Sequence, residues 1–173
     1  MASAAHFTVR EQLRDGRSIC IRAIRPEDKE PLRKAFHALE PQSVYSRVFH
    51  TKKELTVDEL KRLTEVDHVH DVALIATVGS GPSEIIIGDG RYLARGRSAE
   101  IAFAVEEDYH RQGIAGLLLR HLARIARDNG ITHFEAYVLA ENHGMLGVFE
   151  RSAMPMRTTR EQGVLHVTLQ LSA

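Results

Sequence analysis

A chain of 173 residues, 43% of them hydrophobic, can bury one good core, so a single domain over residues 1–173 is expected. Lys+Arg and Asp+Glu both total 23, so the net charge is zero and nothing steers the chain toward nucleic acid, although ten histidines turn it positive on mild acidification. One cysteine, Cys20, excludes an internal disulfide framework and fits a reducing compartment, and no apolar run suits a signal peptide or a membrane span, so the expectation is a cytoplasmic protein.

Residues 1–5 read as a disordered leader. Phe7–Leu13 and Ser18–Ile24 are strand-like runs around Arg14-Asp15-Gly16-Arg17, and Asp-Gly is a strong hairpin signal. Cys20 falls inside the second run, where filling core is its expected role. Pro26, Glu27 and Asp28 suit the first turn of a helix with the apolar stripe Leu32, Ala35, Phe36 and Leu39, ended by Pro41. A short second helix is expected over Ser43–Phe49. Thr56 and Glu59 form a capping box for a third, and Leu55 and Leu60 are placed as its hydrophobic staple. Asp71–Val78 is almost wholly apolar and reads as a central strand covered on both faces. A turn at Gly79-Ser80-Gly81-Pro82 returns the chain through Glu84–Leu93, where Gly88 and Gly90 mark a bulge or irregularity.

After a turn at Arg95-Gly96-Arg97 comes the most informative stretch. Glu100–Val105 is a short apolar run fit for a buried strand. Ile114–Asn129 has helical period: Ile114, Leu118, Leu122 and Ile125 share one face, Arg120, Arg124 and Arg127 the other, where their charges are expected in water, and Asn129-Gly130 supplies a left-handed stop. Between them lies His110-Arg111-Gln112-Gly113-Ile114-Ala115-Gly116. Its glycines let backbone N–H groups approach a ligand, and the helix start behind them favours a phosphate. A plain strand-to-helix turn that needs glycine for its shape is the other reading of the same residues. Thr132–Leu139 is a further strand and Asn142–Ser152 a helix with Met145, Leu146 and Phe149 facing in. The last strand, Val164–Leu171, alternates with Leu165, Val167, Leu169 and Leu171 inward. The order β-β-α-α-α-β-β-β-α-β-α-β is an α+β fold.

Strand, H-R-Q-G-I-A loop, helix, second strand and Glu141-Asn142-His143-Gly144-Met145-Leu146, in that order, resemble the GNAT superfamily of N-acetyltransferases. Their pyrophosphate loop reads Gln/Arg-x-x-Gly-x-Gly/Ala. Gly113-Ile114-Ala115 matches its second half, and His110 stands where glutamine or arginine is usual. The N-terminal run Ile24-Arg25-Pro26-Glu27-Asp28 and its helices extend the resemblance over essentially the whole chain, which is most similar to the catalytic module of bacterial Pat-type protein-lysine acetyltransferases. The resemblance implies a mixed, mostly antiparallel central sheet with helices on both faces, and acetyl-CoA as co-substrate with no metal. It implies that His110, Arg111, Gln112, Gly113, Ile114, Ala115 and Gly116 hold the pyrophosphate, with an arginine of the following helix near the adenosine 3′-phosphate. The backbone of Phe103, Ala104 and Val105 would hold the pantetheine arm, and Asn142 would contact the cofactor. Asn142 is equally a preferred helix N-cap.

Acetyl transfer to an amine needs a base, because a lysine-like amine with a pKa of about 10.4 is charged at neutral pH. Glu100, at the start of the strand lining the implied cleft, is the candidate, with partial burial raising its pKa. A strand-end carboxylate that faces water or pairs with Arg97 is the alternative. Glu106, Glu107 and Asp108 read as a solvated acidic corner. The family's general-acid tyrosine falls on Phe149, and Tyr137 and Tyr109 are either substitutes or packing. In His68-x-His70-Asp71 the alternate positions put two imidazoles on one side of an extended segment, as in a metal site, but no third and fourth ligand is apparent. The acceptor is a protein lysine or a small amine such as an antibiotic, and a non-catalytic acyl-CoA sensor is the remaining reading. A monomer or homodimer without nucleic-acid or membrane partners is expected.

Overall fold

The computed structural model describes residues 3–42 and 54–171, with the backbone alone for Glu107. Among them the order is β1 (Thr8–Gln12), β2 (Ser18–Ala23), α1 (Lys29–Ala35), β3 (Leu39–Pro41), α2 (Val57–Thr64), β4 (Asp71–Val78), β5 (Ile85–Arg95), β6 (Ser98–Glu106), α3 (Ile114–Asp128), β7 (His133–Leu139), α4 (His143–Arg151), β8 (Met156–Glu161) and β9 (Val164–Gln170). One sheet runs β1-β2-β4-β5-β6-β7-β9-β8, with β3 added on β6. All these pairs are antiparallel except β6 with β7. No helix among the described residues is long and apolar enough to cross a membrane.

Alternation along β6 separates two cores on the two faces of this single domain. Ala99, Ile101, Phe103 and Val105 join α3 and the buried Met145 and Phe149 of α4. Ala102 and Ala104 join Leu32, Leu60 and Leu63 of α1 and α2 on the opposite face. The capping box stands as expected: Thr56 Oγ1 accepts from Glu59 N and Glu59 Oε1 accepts from Thr56 N, both at 3.1 Å. The Asn129-Gly130 stop is a Schellman turn, with Gly130 at φ +79 and the Ile131 amide donating back to Ala126 O at 2.9 Å. Gly88 does border an irregularity, where the β4–β5 register shifts between Ala76 and Thr77, whereas Gly90 lies in regular register opposite Leu74. They also make room: a Cβ on Gly88 would come 2.9 Å from Ile114 Cγ2, and one on Gly90 3.0 Å from Leu118 Cβ.

Four expectations are corrected. The first helix stops at Ala35, and Leu39 with Pro41 forms the short strand β3, so Leu39 is buried from an extended segment. A strand was missed at β8, which is exposed along nearly its whole length and carries no apolar period; its signal is the two-residue Gln162-Gly163 turn, with φ of +51 and +81. The arginine face of α3 is not simply solvated: Arg120 pairs with Glu11 at 2.7 Å and Arg127 Nε donates to Leu171 O. Within the expected leader Ala4 is buried and its amide donates to His68 O at 2.9 Å, while residues 1 and 2 lie outside the described residues. The helix expected over 43–49 lies outside the described residues.

Candidate functional site

β6 pairs with β5 from Ser98 to Val105, but with β7 only through Ser98↔His133, Ala99↔Phe134 and Glu100↔Glu135. Past Glu100 the two parallel strands diverge, and Glu100 stands half-buried at the apex of the resulting V. Sharing the parity of Ala102 and Ala104, it belongs to the α1/α2 face. Its register neighbour Glu135 accepts a hydrogen bond from Ser98 Oγ at 3.1 Å and lies 3.2 Å from His166 Nε2. The His166 ring stacks on Tyr137 at 4.7 Å. Sequence reasoning missed Glu135, Ser98 and His166, because only the β6–β7–β9 pairing brings them together.

The loop lies at the far end of β6. Arg111 (φ +67) and Gly113 (φ +90) take left-handed conformations, and Gly113 starts α3 without a side-chain cap. The first bond of the helix runs from the Leu117 amide to Gly113 O, so the amides of Ile114, Ala115 and Gly116 precede the ladder. The β1–β2 hairpin holds this turn in place. Arg14 N donates to Gln112 O at 3.3 Å, Asp15 N to Gln112 Oε1 at 3.2 Å, and Arg14 Nη1 to Arg111 O at 3.1 Å. The Gln112 side chain therefore shapes the loop from behind. Tyr109 packs beneath the Arg17 guanidinium, 4.7 Å from its ring centroid.

In front of the loop a cavity of about 610 Å³ reaches Asn142, Gly144 and Met145 of α4, and a second of about 490 Å³ continues along α3. Arg14 and Arg151 line both, and neither was read as functional from the sequence. Gly147 leaves the space that Arg151 crosses: a Cβ there would meet Arg151 Nη1 at 2.8 Å. Amides at a helix start flanked by two guanidinium groups make a donor set for phosphate oxygens.

Asn142 caps α4, its Oδ1 accepting from Met145 N at 3.0 Å, while Nδ2 donates to Gln42 O at 3.4 Å. The edge of β6 that faces the V at Phe103, Ala104 and Val105 carries β3 in this structure. Phe149 is 1% exposed inside the core and offers no proton. At the acidic corner Asp108 is exposed and Glu106 half-buried, and burial, then the like charge of Asp108, raises the Glu106 pKa. At the His68 segment, burial works against ionisation of Asp67, but the Asp71, Val69 and His70 amides outweigh it and hold its pKa at about 2. This is a capped turn. No group of three His, Cys, Asp or Glu among the described residues could hold a metal ion.

A profile of the acetyltransferase (GNAT) family matches residues 30–154. The chain belongs to the GNAT acetyltransferase family. It is 31% identical over 137 residues to the acetyltransferase PA5475 of Pseudomonas aeruginosa, covering 78% of this chain and 74% of that protein. It is also 31% identical over 144 residues to the acetyltransferase Pat of Mycolicibacterium smegmatis, covering 81% of this chain but 42% of that longer protein. The crystal structure of the GNAT domain of S. lividans PAT superposes with a TM-score of 0.81 at 31% identity, over 94% of this chain and 96% of that one.

Proposed function

We propose that this GNAT protein is a cytoplasmic, acetyl-CoA-dependent N-acetyltransferase that acetylates a protein lysine by direct attack on the thioester. The observation that carries the reading is the end of β6–β7 pairing at Glu100, which puts a carboxylate at the apex of the V and the α3 loop at its open side. The likeness to Pat of M. smegmatis and to the S. lividans PAT domain supports lysine as acceptor. The amides of Ile114, Ala115 and Gly116 bind the pyrophosphate, helped by the partial positive charge of the helix start. Main-chain groups of Phe103, Ala104 and Val105 bind the pantetheine arm, and Asn142 Nδ2 adds a donor.

Glu100 takes a proton from the incoming ammonium, directly or through one water. The amine nitrogen then attacks the thioester carbon, the C–N bond forms, the C–S bond breaks, and the nitrogen gives up its second proton to solvent as the amide forms. Coenzyme A leaves as a thiolate that solvent protonates, which a thiol pKa of about 8.5 permits without a dedicated acid. The test is release of free coenzyme A in the presence of a lysine peptide. Glu100→Gln should lower kcat by roughly 10²–10⁴-fold while acetyl-CoA binding persists. Undiminished turnover by that variant would refute the assignment of the base. Turnover with small amines alone would move the acceptor to small molecules, and binding without turnover on any amine would make the chain a sensor.

A further inference from the structure

A strand edge that parts from its neighbour leaves N–H and C=O groups in need of partners. Beyond Glu100 the V-facing edge of β6 is such an edge, and the acyl-CoA reading assigns it to the amides of the pantetheine arm. The chain itself already uses it. β3 lies along this edge through Leu39↔Glu106, Glu40↔Val105 and Pro41↔Ala104, and the Gln42 amide then donates to Phe103 O at 2.8 Å. The Gln42 carbonyl accepts from Asn142 Nδ2 at 3.4 Å. Glu40 Oε2 lies 3.8 Å from His110 Nε2, and that nitrogen lies 3.2 Å from Val105 O. The groups proposed for the arm are thus the groups that hold this stretch of chain.

We infer that Leu39–Gln42 is a strap that competes with the pantetheine arm for the edge of β6, so that acyl-CoA binds only the strap-open form. The inference rests on the acyl-CoA reading of the site. The strap is built to leave. Pro41 has no N–H to give to the ladder, Glu40 and Pro41 are exposed, and only Leu39 is buried, in the core beneath α1 and α2. Leu39 is therefore the pivot, and Glu40–Gln42 is the part that peels away. The apparent dissociation constant for acyl-CoA is the intrinsic one divided by the open fraction. A ligand that reaches only the α3 loop feels no such penalty.

Calorimetry with two probes tests this: acetyl-CoA, and adenosine 3′,5′-bisphosphate, which lacks the arm. Gln42→Pro removes the donor to Phe103 O. It should tighten acetyl-CoA binding roughly fivefold, the worth of one hydrogen bond, and leave the bisphosphate unchanged. A second variant carries Glu40→Cys and Val105→Cys in a Cys20→Ser background. Directly opposed Cα atoms of antiparallel strands suit a disulfide. Oxidised, it should lose acetyl-CoA binding by more than tenfold and keep the bisphosphate, and reductant should restore it. Oxidised protein that binds acetyl-CoA as tightly as reduced protein overturns the strap alone. Wild-type protein that binds neither probe overturns the acyl-CoA reading and the strap with it.

Discussion

Gly88→Ala probes the joint between the sheet and the loop. The added methyl would sit 2.9 Å from Ile114 Cγ2 and 3.3 Å from Ala76 Cβ, closer than carbon atoms pack. Ile114 cannot easily swing aside. It is β-branched, which restricts its χ1, and it is 1% exposed, so its neighbours leave it no room. The start of α3 must therefore shift away from β5, at an overpacking cost of about 1–3 kcal/mol. Loss of glycine freedom in the unfolded chain offsets about 0.4–1 kcal/mol of this. Taking the middle of both ranges, the net loss is about 1.3 kcal/mol, which should lower Tm by roughly 3–5 °C for a domain of this size. Ile114 is also the first residue of α3, so the same shift displaces the amides proposed to bind the pyrophosphate, and the KM for acetyl-CoA should rise. Denaturant titration of Gly88→Ala, Ile114→Ala and the double variant checks the cause. Ile114→Ala removes the clashing methyl, so the double variant should be more stable than the two single effects predict, by about 1 kcal/mol or more. Strict additivity, or a Gly88→Ala protein as stable as wild type, would refute the reasoning.

Two further outcomes are expected. Arg22 holds Asp28 in a bidentate pair at 2.8 Å and Glu84 at 2.8 Å, with side-chain exposures of 9% and 5% for Arg22 and Asp28. Burial pulls the Asp28 carboxyl upward, but Arg22 and the Arg25 amide pull it further down, so the net shift is below its usual value. The pair thus stabilises the fold above the unfolded carboxyl pKa, near 3.9, and that contribution fades as pH falls through the lower folded value. Arg22→Met should cost about 3–5 kcal/mol at neutral pH and, with Asp28 left buried and unpaired, narrow its deficit against wild type as pH falls toward 4; denaturant midpoints across pH show whether it does. Arg151→Gln should raise the KM for acetyl-CoA about tenfold and leave kcat nearly unchanged, since a contact to a non-reacting phosphate binds substrate and transition state alike. A fall in kcat at constant KM would remove Arg151 from the phosphate site.

What the sequence made legible is what local rules govern. The hairpin at Asp15-Gly16, the Thr56 capping box and the Asn129-Gly130 stop each depend on residues a few positions apart, and each is where those rules put it. The apolar stripe of α3 was legible but too narrow. Leu119, His121 and Ala123 are buried as well, because the β1 strand covers that flank and Glu11 accepts from His121 at 2.9 Å. β8 and β3 escaped for the opposite reason. One is an exposed edge strand with no core to imprint a period, and the other is three residues long and exists by pairing with β6.

The site divides along the same line. Glycines near a helix start and a carboxylate opening an apolar run are visible in one stretch of chain, and Gly113 and Glu100 take the backbone positions that stretch implies. Arg14, Arg151 and Glu135 come from a hairpin turn, the end of a helix and a neighbouring strand. Nothing in their own surroundings in the chain distinguishes them from ordinary surface charges. Only the closing of the sheet turns Arg14 toward the loop, where its guanidinium holds the Arg111 carbonyl at 3.1 Å. A charge held in that way is partly pre-organised for a phosphate, because the bond to the Arg111 carbonyl reduces its rotamer freedom in the unliganded protein. The phosphate binding proposed for this loop therefore depends on the β1–β2 hairpin as much as on the glycines themselves, and loosening the hairpin should weaken it without touching a single residue of the 110–116 segment.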